Sequence, residues 1–379
     1  MSTDPEFDVL IIGGGLAGLA LSIQLNNSGY KVLVLEKDNY PHHKVCGEYV
    51  SMESKAFLER TGVPISLMNL PVINTLQISD TRGRVLNTTL PQGGFGISRY
   101  KLDATLAMVA QRKGVSLLTN TRAEDVQFAE DVFSVKTSNK TFTARMVCGC
   151  WGKRSRLDTK FQRDFIKSQK NALTNFVGVK YHIKYPWPEH LIALHNFRNG
   201  YCGISRVEDE TCCLCYLTTA ANLQESGNDI RQMERNILTQ NPYLKEIFAH
   251  ADFLFDQALT ISQISFREKE LVQDHVLMLG DAAGMISPLC GNGMSMAFHS
   301  SVMAFDVIDQ FLQKRMSREQ MEIAYAKRWN KQFAKRLDMG RFIQRYFGKE
   351  RDTSLFLNAM KLLPFLQKPL IRSTAGKAF

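Results

Sequence analysis

The hydrophobic positions of this chain fall into runs of different period, and their order outlines a fold. Phe7–Ile12 (Phe-Asp-Val-Leu-Ile-Ile) is a short, nearly continuous apolar run, the pattern of a strand buried on both faces of a parallel sheet. It ends in consecutive glycines, after which Leu16, Leu19, Ala20, Ile23 and Leu25 predict a helix stopping near Asn27-Ser28-Gly29. Lys31–Leu35 then reads as a second strand closed by Glu36, which completes a β-α-β unit. Residues 38–98 look loop-rich, with strand-like pieces at Leu76–Ile78 and Val85–Leu86. Tyr100–Lys113 predicts a helix ended by Gly114, and Val115–Leu118 a further strand. Val132–Thr137 and Thr141–Val147 alternate like the arms of a hairpin around Ser138-Asn139-Lys140.

Further along, Asn175–Leu217 is rich in Val, Tyr, Ile, Phe and Cys, with Pro186 and Pro188 between strands, which predicts a mainly antiparallel sheet in a second domain. Val276–Leu279 is a short strand running into Gly280-Asp281, and a helix should start near Asn292 and reach Leu312. Ser317-Arg-Glu-Gln320 has the form of a capping box, followed by Met321, Tyr325, Trp329, Phe333 and Leu337 at i+4 spacing.

Of the 379 residues, 44% are hydrophobic and 22% charged, which excludes a disordered or collagen-like chain and suggests about two domains. The formal charge of +10 is unevenly placed: Gln310–Phe379 holds 16 Lys and Arg against 5 Asp and Glu, a surplus of 11, so the rest is nearly neutral. A nucleic-acid-binding fold would carry that charge on its main body, so no nucleic-acid partner is expected. No apolar run is long enough to span a membrane, and Met-Ser-Thr-Asp-Pro-Glu-Phe lacks the basic start of a secretory leader. A cytoplasmic protein with reduced thiols is therefore expected. Cys212-x-x-Cys215 is the only such pair, and Cys212, Cys213 and Cys215 read as packing residues on a strand. His42-His43 has no further partners at ligand spacing, and no metal site is expected.

The sharpest motif is Gly13-x-Gly15-x-x-Gly18 between strand and helix, with Glu36 21 residues after the second glycine. Gly13 permits the tight turn, Gly15 lets the backbone approach a pyrophosphate, and Gly18 lets the helix lie close to the strand. The helix N-terminus attracts phosphate, and Glu36 can accept both ribose hydroxyls of an adenosine. Candidate dinucleotide contacts in this unit are Gly13, Gly15, Leu16, Ala17, Gly18, Glu36 and Lys37. The second strand–turn–helix, Val276–Gly284 with Pro288-Leu-Cys-Gly-Asn-Gly-Met294, selects FAD over NAD. Asp281 suits a ribityl hydroxyl, and the amides around Gly291, Asn292, Gly293 and Met294 suit the flavin's pyrimidine edge.

These residues resemble the FAD-dependent group that contains p-hydroxybenzoate-hydroxylase-like monooxygenases, flavin halogenases and geranylgeranyl reductases. The resemblance spans roughly residues 7–310 and rests also on Ser98-Arg99-x-x-Leu102-Asp103-x-x-Leu106. It implies that Arg99 lies beside FAD. Lys44-Val-Cys46-Gly47-Glu48 is similar to a segment of the geranylgeranyl reductases that borders flavin and substrate. That likeness makes Lys44 a cofactor contact and Cys46 and Glu48 candidates for positioning substrate or relaying a proton; the alternative is a packed thiol and a turn cap. Gly200-Tyr201-Cys202-Gly203 stands where those reductases carry a Trp-bearing motif, here with Gly203 and Arg206 in place of Trp and Pro. Tyr201 and Pro288 are candidate substrate contacts, Tyr201 with the alternative of a core aromatic.

Two departures count against sister branches. Trp151, Trp187 and Trp329 are not spaced as the halogenases' Trp-x-Trp, so halogenation is not expected. Trp151 also replaces the Asp of the hydroxylases' Asp-Gly motif, which leaves the electron donor open among NADPH, NADH and ferredoxin.

The sequence thus predicts an α/β protein: a Rossmann-type FAD-binding domain (1–70, 98–165 and 270–312) with an inserted antiparallel β-sheet substrate domain (71–97 and 166–269) and C-terminal helices (313–379). The leading expectation is reduction of C=C bonds in a lipophilic isoprenoid or polyene. The alternatives are an aromatic or polyketide monooxygenase and a non-enzymatic flavin-binding interaction protein. The partner is a small lipophilic substrate, with anionic and carrier-tethered forms open. The basic C-terminal region ends in Leu362-Leu-Pro-Phe-Leu-Gln-Lys-Pro-Leu-Ile371, flanked by Lys361 and Arg372. It suggests peripheral contact with a membrane surface, against the alternative of a helix packed on the body with a solvated basic face.

Overall fold

The computed structural model describes residues 4–167 and 176–379. The expected sheet start at Asn175 and the leading Met1–Thr3 lie outside the described residues. The architecture is a mixed α/β fold in which the described strands form an 8-stranded and a 9-stranded sheet.

The first sheet is built on β1 (Phe7–Ile12), whose last residues are wholly buried, as the apolar run requires. It pairs in parallel with β2 (Val32–Leu35) on one side and with Thr141–Gly149 on the other. Val276–Met278 continues the sheet beyond Thr141–Gly149, also in parallel. Ile12 lies opposite both Leu35 and Gly149, so the loops after β1, β2 and the 141–149 strand leave along one sheet edge. Ligands of open α/β sheets bind at that carboxyl edge, where the strand order reverses. Helix α1 (Leu16–Asn27) packs against the helix Gly293–Leu312, which starts one residue beyond the expected Asn292.

The second sheet is antiparallel except where Leu191–Phe197 meets Val72–Ser79. Along Phe176–Lys184, Val179, Tyr181 and Ile183 point into a core with Met233, Leu244 and Ile247 of the covering helices. By the two-residue period, Gly178, Lys180 and His182 face the other way. Lys180 pairs with Cys215 and His182 with Cys213 on the neighbouring strand, so these side chains share that face.

The loop-rich reading of 38–98 needs correction. Val72–Ser79 and Val85–Gly96 form a long strand pair, with a register shift between Ile73 and Thr75. The second strand runs on past the strand-like Val85–Leu86 through Pro91 and Gly94, with Gly93 at φ +63° within it. The capping box at Ser317 forms as expected, and Met321, Tyr325, Trp329, Phe333 and Leu337 of the helix Arg318–Gln344 are all buried. Burial of each of those larger apolar side chains contributes about 1.5–3 kcal/mol. The chain ends in helices Glu350–Leu362 and Gln367–Thr374. No helix among the described residues is long and apolar enough to cross a membrane.

Candidate cofactor and active site

The turn after β1 explains its glycines one by one. Gly13 lies at φ +108°, and a Cβ there would stand 2.5 Å from the Cys150 carbonyl oxygen. A Cβ on Gly18 would run into the Gly13 carbonyl oxygen and crowd Ile11. Gly15 is different: its Cβ would meet nothing nearer than the Arg99 guanidinium at 3.8 Å and the Lys44 ammonium at 4.0 Å. Gly13 and Gly18 thus serve the fold, while Gly15 opens onto a space edged by two cations. Helix α1 starts there with no side-chain cap and no acid in its first turn, and Leu16 and Ala17 are buried within it. Its first amides are free for an anion.

Arg99 and Lys44 are held by a single carboxylate. Asp103 accepts two bonds from Arg99, each 2.7 Å, and one from Lys44 at 2.8 Å. Burial raises the Asp103 pKa but both cations lower it further, so it stays ionised below its usual range. Burial opposes the Arg99 charge as well, yet the Asp103 pair leaves its pKa above the ordinary value. Arg99 and Lys44 share the single Asp103 carboxylate beside Gly15, with Asp281 also acting on Arg99.

Glu36 is buried at the end of β2 and accepts from the Gly14 amide at 2.7 Å and the Asp38 amide at 3.1 Å. Lys37 lies apart, exposed and paired with Asp38 at 3.0 Å. The second motif comes up against the first: a Cβ on Gly280 (φ +58°) would lie 3.4 Å from the Ala17 methyl. The Asp281 carbonyl is held by Lys269 at 2.7 Å. Helix Gly293–Leu312 also begins with no side-chain cap and no acid in its first turn, so a second set of free amides lies at Gly293 and Met294. Gly291 (φ +66°) packs on the Tyr49 ring, and Asn292 donates to the Thr374 carbonyl of the last helix.

Cys46 and Glu48 belong to a buried polar network that the sequence reading did not anticipate. Glu48, at φ +57°, accepts from the Arg99 amide at 2.7 Å, from the Lys180 ammonium, and from His182 Nε2 at 2.6 Å. Burial works to protonate it, but His182 and Lys180 hold it below the usual carboxylate range. Burial likewise disfavours the Lys180 charge, and the neighbouring Cys213 and Glu48 more than restore it. Lys180 also donates to the Lys44 carbonyl at 3.2 Å, and Cys213 to the Cys46 carbonyl at 3.3 Å. Cys46 is half-buried and takes the Glu48 amide on its sulfur at 3.4 Å. Glu48, His182 and Cys213 bring donor atoms within 4.8 Å of one another. The carboxylate is already neutralised by Lys180, so this group is an ion-pair network. The alternations Gly178-x-Lys180-x-His182 and Cys213-x-Cys215 were the available signal for it. His43 stacks on Tyr100 beside His182; burial first, then His182 and Lys180, bring its pKa down to about 4. His42 bonds the Asn39 carbonyl at 2.6 Å. Trp151 donates to Asp158 at 3.0 Å next to Gly13.

Tyr201 lies fully buried against Ser287 and the Leu289 backbone, so the structure brings it to the Pro288 loop, although Pro288 itself is exposed. Tyr201 belongs to an apolar wall with Leu194, Leu217, Met285, Phe347 and Leu357, between the second sheet and the C-terminal helices.

A family model described as an FAD binding domain matches residues 6–335. Conditioned medium factor receptor 1 of Dictyostelium discoideum is 24% identical, over 89% of this chain and 71% of its own length. The 1H-pyrrole-2-carbonyl-[peptidyl-carrier protein] brominase of Pseudoalteromonas luteoviolacea is 21% identical, over 82% of this chain and 79% of its own length. The structure of flavin-dependent brominase Bmp2 superposes with a TM-score of 0.81 at 18% identity, covering 98% of this chain and 94% of that one. That of halogenase PltM in complex with phloroglucinol and FAD gives 0.74 at 17% identity, covering 97% and 85%.

These matches overturn the expectation of a C=C reductase favoured over a monooxygenase, with halogenation excluded. Relatives that match over most of the chain include flavin-dependent halogenases, and the structural neighbours include halogenases and a probable FAD-dependent monooxygenase, whereas the likeness to a menaquinone reductase covers only 32% of this chain. The missing Trp pair concerns one short motif, whereas the likeness to the brominase fold runs along nearly the whole chain. The short Lys44–Glu48 likeness carried too much weight: much of that segment is engaged in structural bonds.

Proposed function

The chain belongs to the FAD-binding-domain family, a flavoprotein oxidoreductase whose cofactor is FAD, and on that premise we propose that it oxidises a small aromatic substrate as a flavin-dependent monooxygenase. The observation that carries this reading is the meeting of the Pro288–Met294 loop with the apolar wall around Tyr201, beside two uncapped helix starts. Its likeness to a brominase of a carrier-tethered pyrrole and to a halogenase binding phloroglucinol supports an electron-rich ring, free or tethered, as substrate.

The residues fit the cofactor. Gly15, Leu16 and Ala17 with Arg99 and Lys44 would hold the pyrophosphate, Glu36 the adenosine ribose, Asp281 the ribityl chain, and Gly291–Met294 the ring edge. FAD, once reduced, supplies the electrons with which dioxygen is activated. The protein's own contribution is positioning. Asp103 orients both cations, and the Glu48–Lys180–His182 network fixes the Lys44–Glu48 segment beneath them. Tyr201, Leu194 and Leu217 exclude water from the substrate side. We assign the FAD-binding body to 1–70, 98–165 and 270–312 and the substrate body to 71–97 and 166–269.

The test is oxygen consumption by the reduced holoprotein with a panel of phenols, pyrroles and resorcinols. Substrate-stimulated uptake with an oxygenated ring product is expected; uptake indifferent to every aromatic compound, with no modified product, refutes the proposal. Formation of a halogenated product when bromide or chloride is added would assign the chain to the halogenating branch.

A further inference from the structure

We propose that the C-terminal helices carry a docking surface for an anionic lipid membrane, an inference that is independent of the reaction assigned above. If this region merely packed on the body with a solvated basic face, its apolar side chains would be covered. Several are not: Leu355 is 68%, Leu362 81% and Phe365 69% exposed, with Leu363 and Leu366 also in solvent. Leu355 and Leu362 stand seven residues apart on the helix Glu350–Leu362 and share a face. Every residue from Lys361 to Leu366 is exposed, so the feature is a protruding tip, not a groove that would seat another protein's anchor residue.

The charge around the tip has one sign. From Thr353 to Phe379 the chain contains Lys361, Lys368, Arg372 and Lys377 and no Asp or Glu, and all four cations are exposed. The acids that precede this stretch are paired, Glu350 with Arg82 and Asp352 with Lys349 at 3.7 Å, and Asp80, which accepts from Ser354, is paired with Arg84 at 2.7 Å. Leu and Phe at a tip ringed by Lys and Arg are the elements of interfacial binding, in which apolar side chains enter the headgroup boundary and cations meet anionic lipid. The inner side of the same helix presents Leu357 and Phe356 to the apolar wall around Tyr201. Docking there would bring a membrane surface next to the substrate side of the site.

The probe is vesicle co-sedimentation of the holoprotein, with phosphatidylcholine alone and with phosphatidylserine added. Binding to the mixed vesicles, weakened by salt, and little binding to the neutral ones is expected. Phe365→Asp with Leu362→Asp should weaken binding about tenfold or more. Replacing Lys361, Lys368 and Arg372 by Gln should weaken it about fivefold per cation. All these positions are exposed, so thermal unfolding should not change and loss of binding cannot be ascribed to misfolding. No preference for the anionic vesicles, or binding that survives both sets of substitutions, overturns the proposal. Concentration-dependent self-association abolished by the same substitutions, without lipid binding, would overturn it in favour of a second copy of the chain.

Discussion

Replacing Gly15 by Val separates cofactor binding from folding. Gly15 has φ −86° and ψ −169°, extended backbone open to any L residue, and its nearest foreign atoms lie 3.8 Å from the added Cβ. The apoprotein should therefore be no less stable than the parent, with a gain of up to about 0.4–1 kcal/mol from a stiffer unfolded chain. The added side chain, however, fills the space between the α1 amides and the Arg99–Lys44 pair. Loss of one or two charge-assisted hydrogen bonds, about 1.5–3 kcal/mol each, weakens FAD about tenfold to ten-thousandfold. Gly18→Ala should behave oppositely in the apoprotein: its Cβ meets the Gly13 carbonyl oxygen and Ile11, and such overpacking costs about 1–3 kcal/mol. Thermal unfolding of apoproteins and FAD titration by fluorescence quenching read the two quantities separately. Full FAD retention in Gly15→Val, or unfolding of its apoprotein as early as that of Gly18→Ala, refutes the reasoning.

Lys180→Met strands the Glu48 carboxylate in a buried site; breaking such a pair should cost about 3–5 kcal/mol in urea unfolding. Adding Glu48→Gln should recover a large part of the loss, and strictly additive effects would show that the pair is not coupled. His195 is fully buried, and desolvation lowers its pKa from 6.5 to about 4. Between those values the unfolded chain binds a proton that the folded one refuses. Its contribution is thus complete above about pH 6.5 and is lost on acidification, at about 1.4 kcal/mol per pH unit. The slope of stability against pH from 6.5 down to 4 should flatten by that amount in His195→Phe, and an unchanged slope contradicts it.

What could be read from sequence was local. Gly13–Gly18 and Glu36 sit within one β-α-β unit, where spacing alone fixes the chemistry, and Gly280-Asp281 repeats that logic. Arg99 was singled out by the family resemblance of Ser98–Leu106, which includes Asp103 but does not show that Asp103 holds both Arg99 and Lys44. The network around Lys180 was not legible, because strand alternation shows which residues share a face but not what faces them; Glu48 lies 132 residues away. Only the first residues of Val85–Gly96 were read as strand-like, because Pro91, Gly93 and Gly94 interrupt its apolar pattern. The reaction type failed for a related reason: Lys44–Glu48 and the Trp spacing describe short stretches, while the buried cluster of Tyr201, Met285 and Phe347 joins residues from distant parts of the chain. The uneven charge was visible from composition, but the exposure of Leu355, Leu362 and Phe365, on which the proposed docking tip rests, was not.

The proposed oxidation of an aromatic ring at the expense of dioxygen has a direct signature in its product. The most direct measurement is mass spectrometry of the product formed by the reduced holoprotein under isotopically labelled dioxygen. A ring carrying one labelled oxygen atom is expected, with the second oxygen released as water. A product enriched by two hydrogens and formed equally well without dioxygen would contradict it.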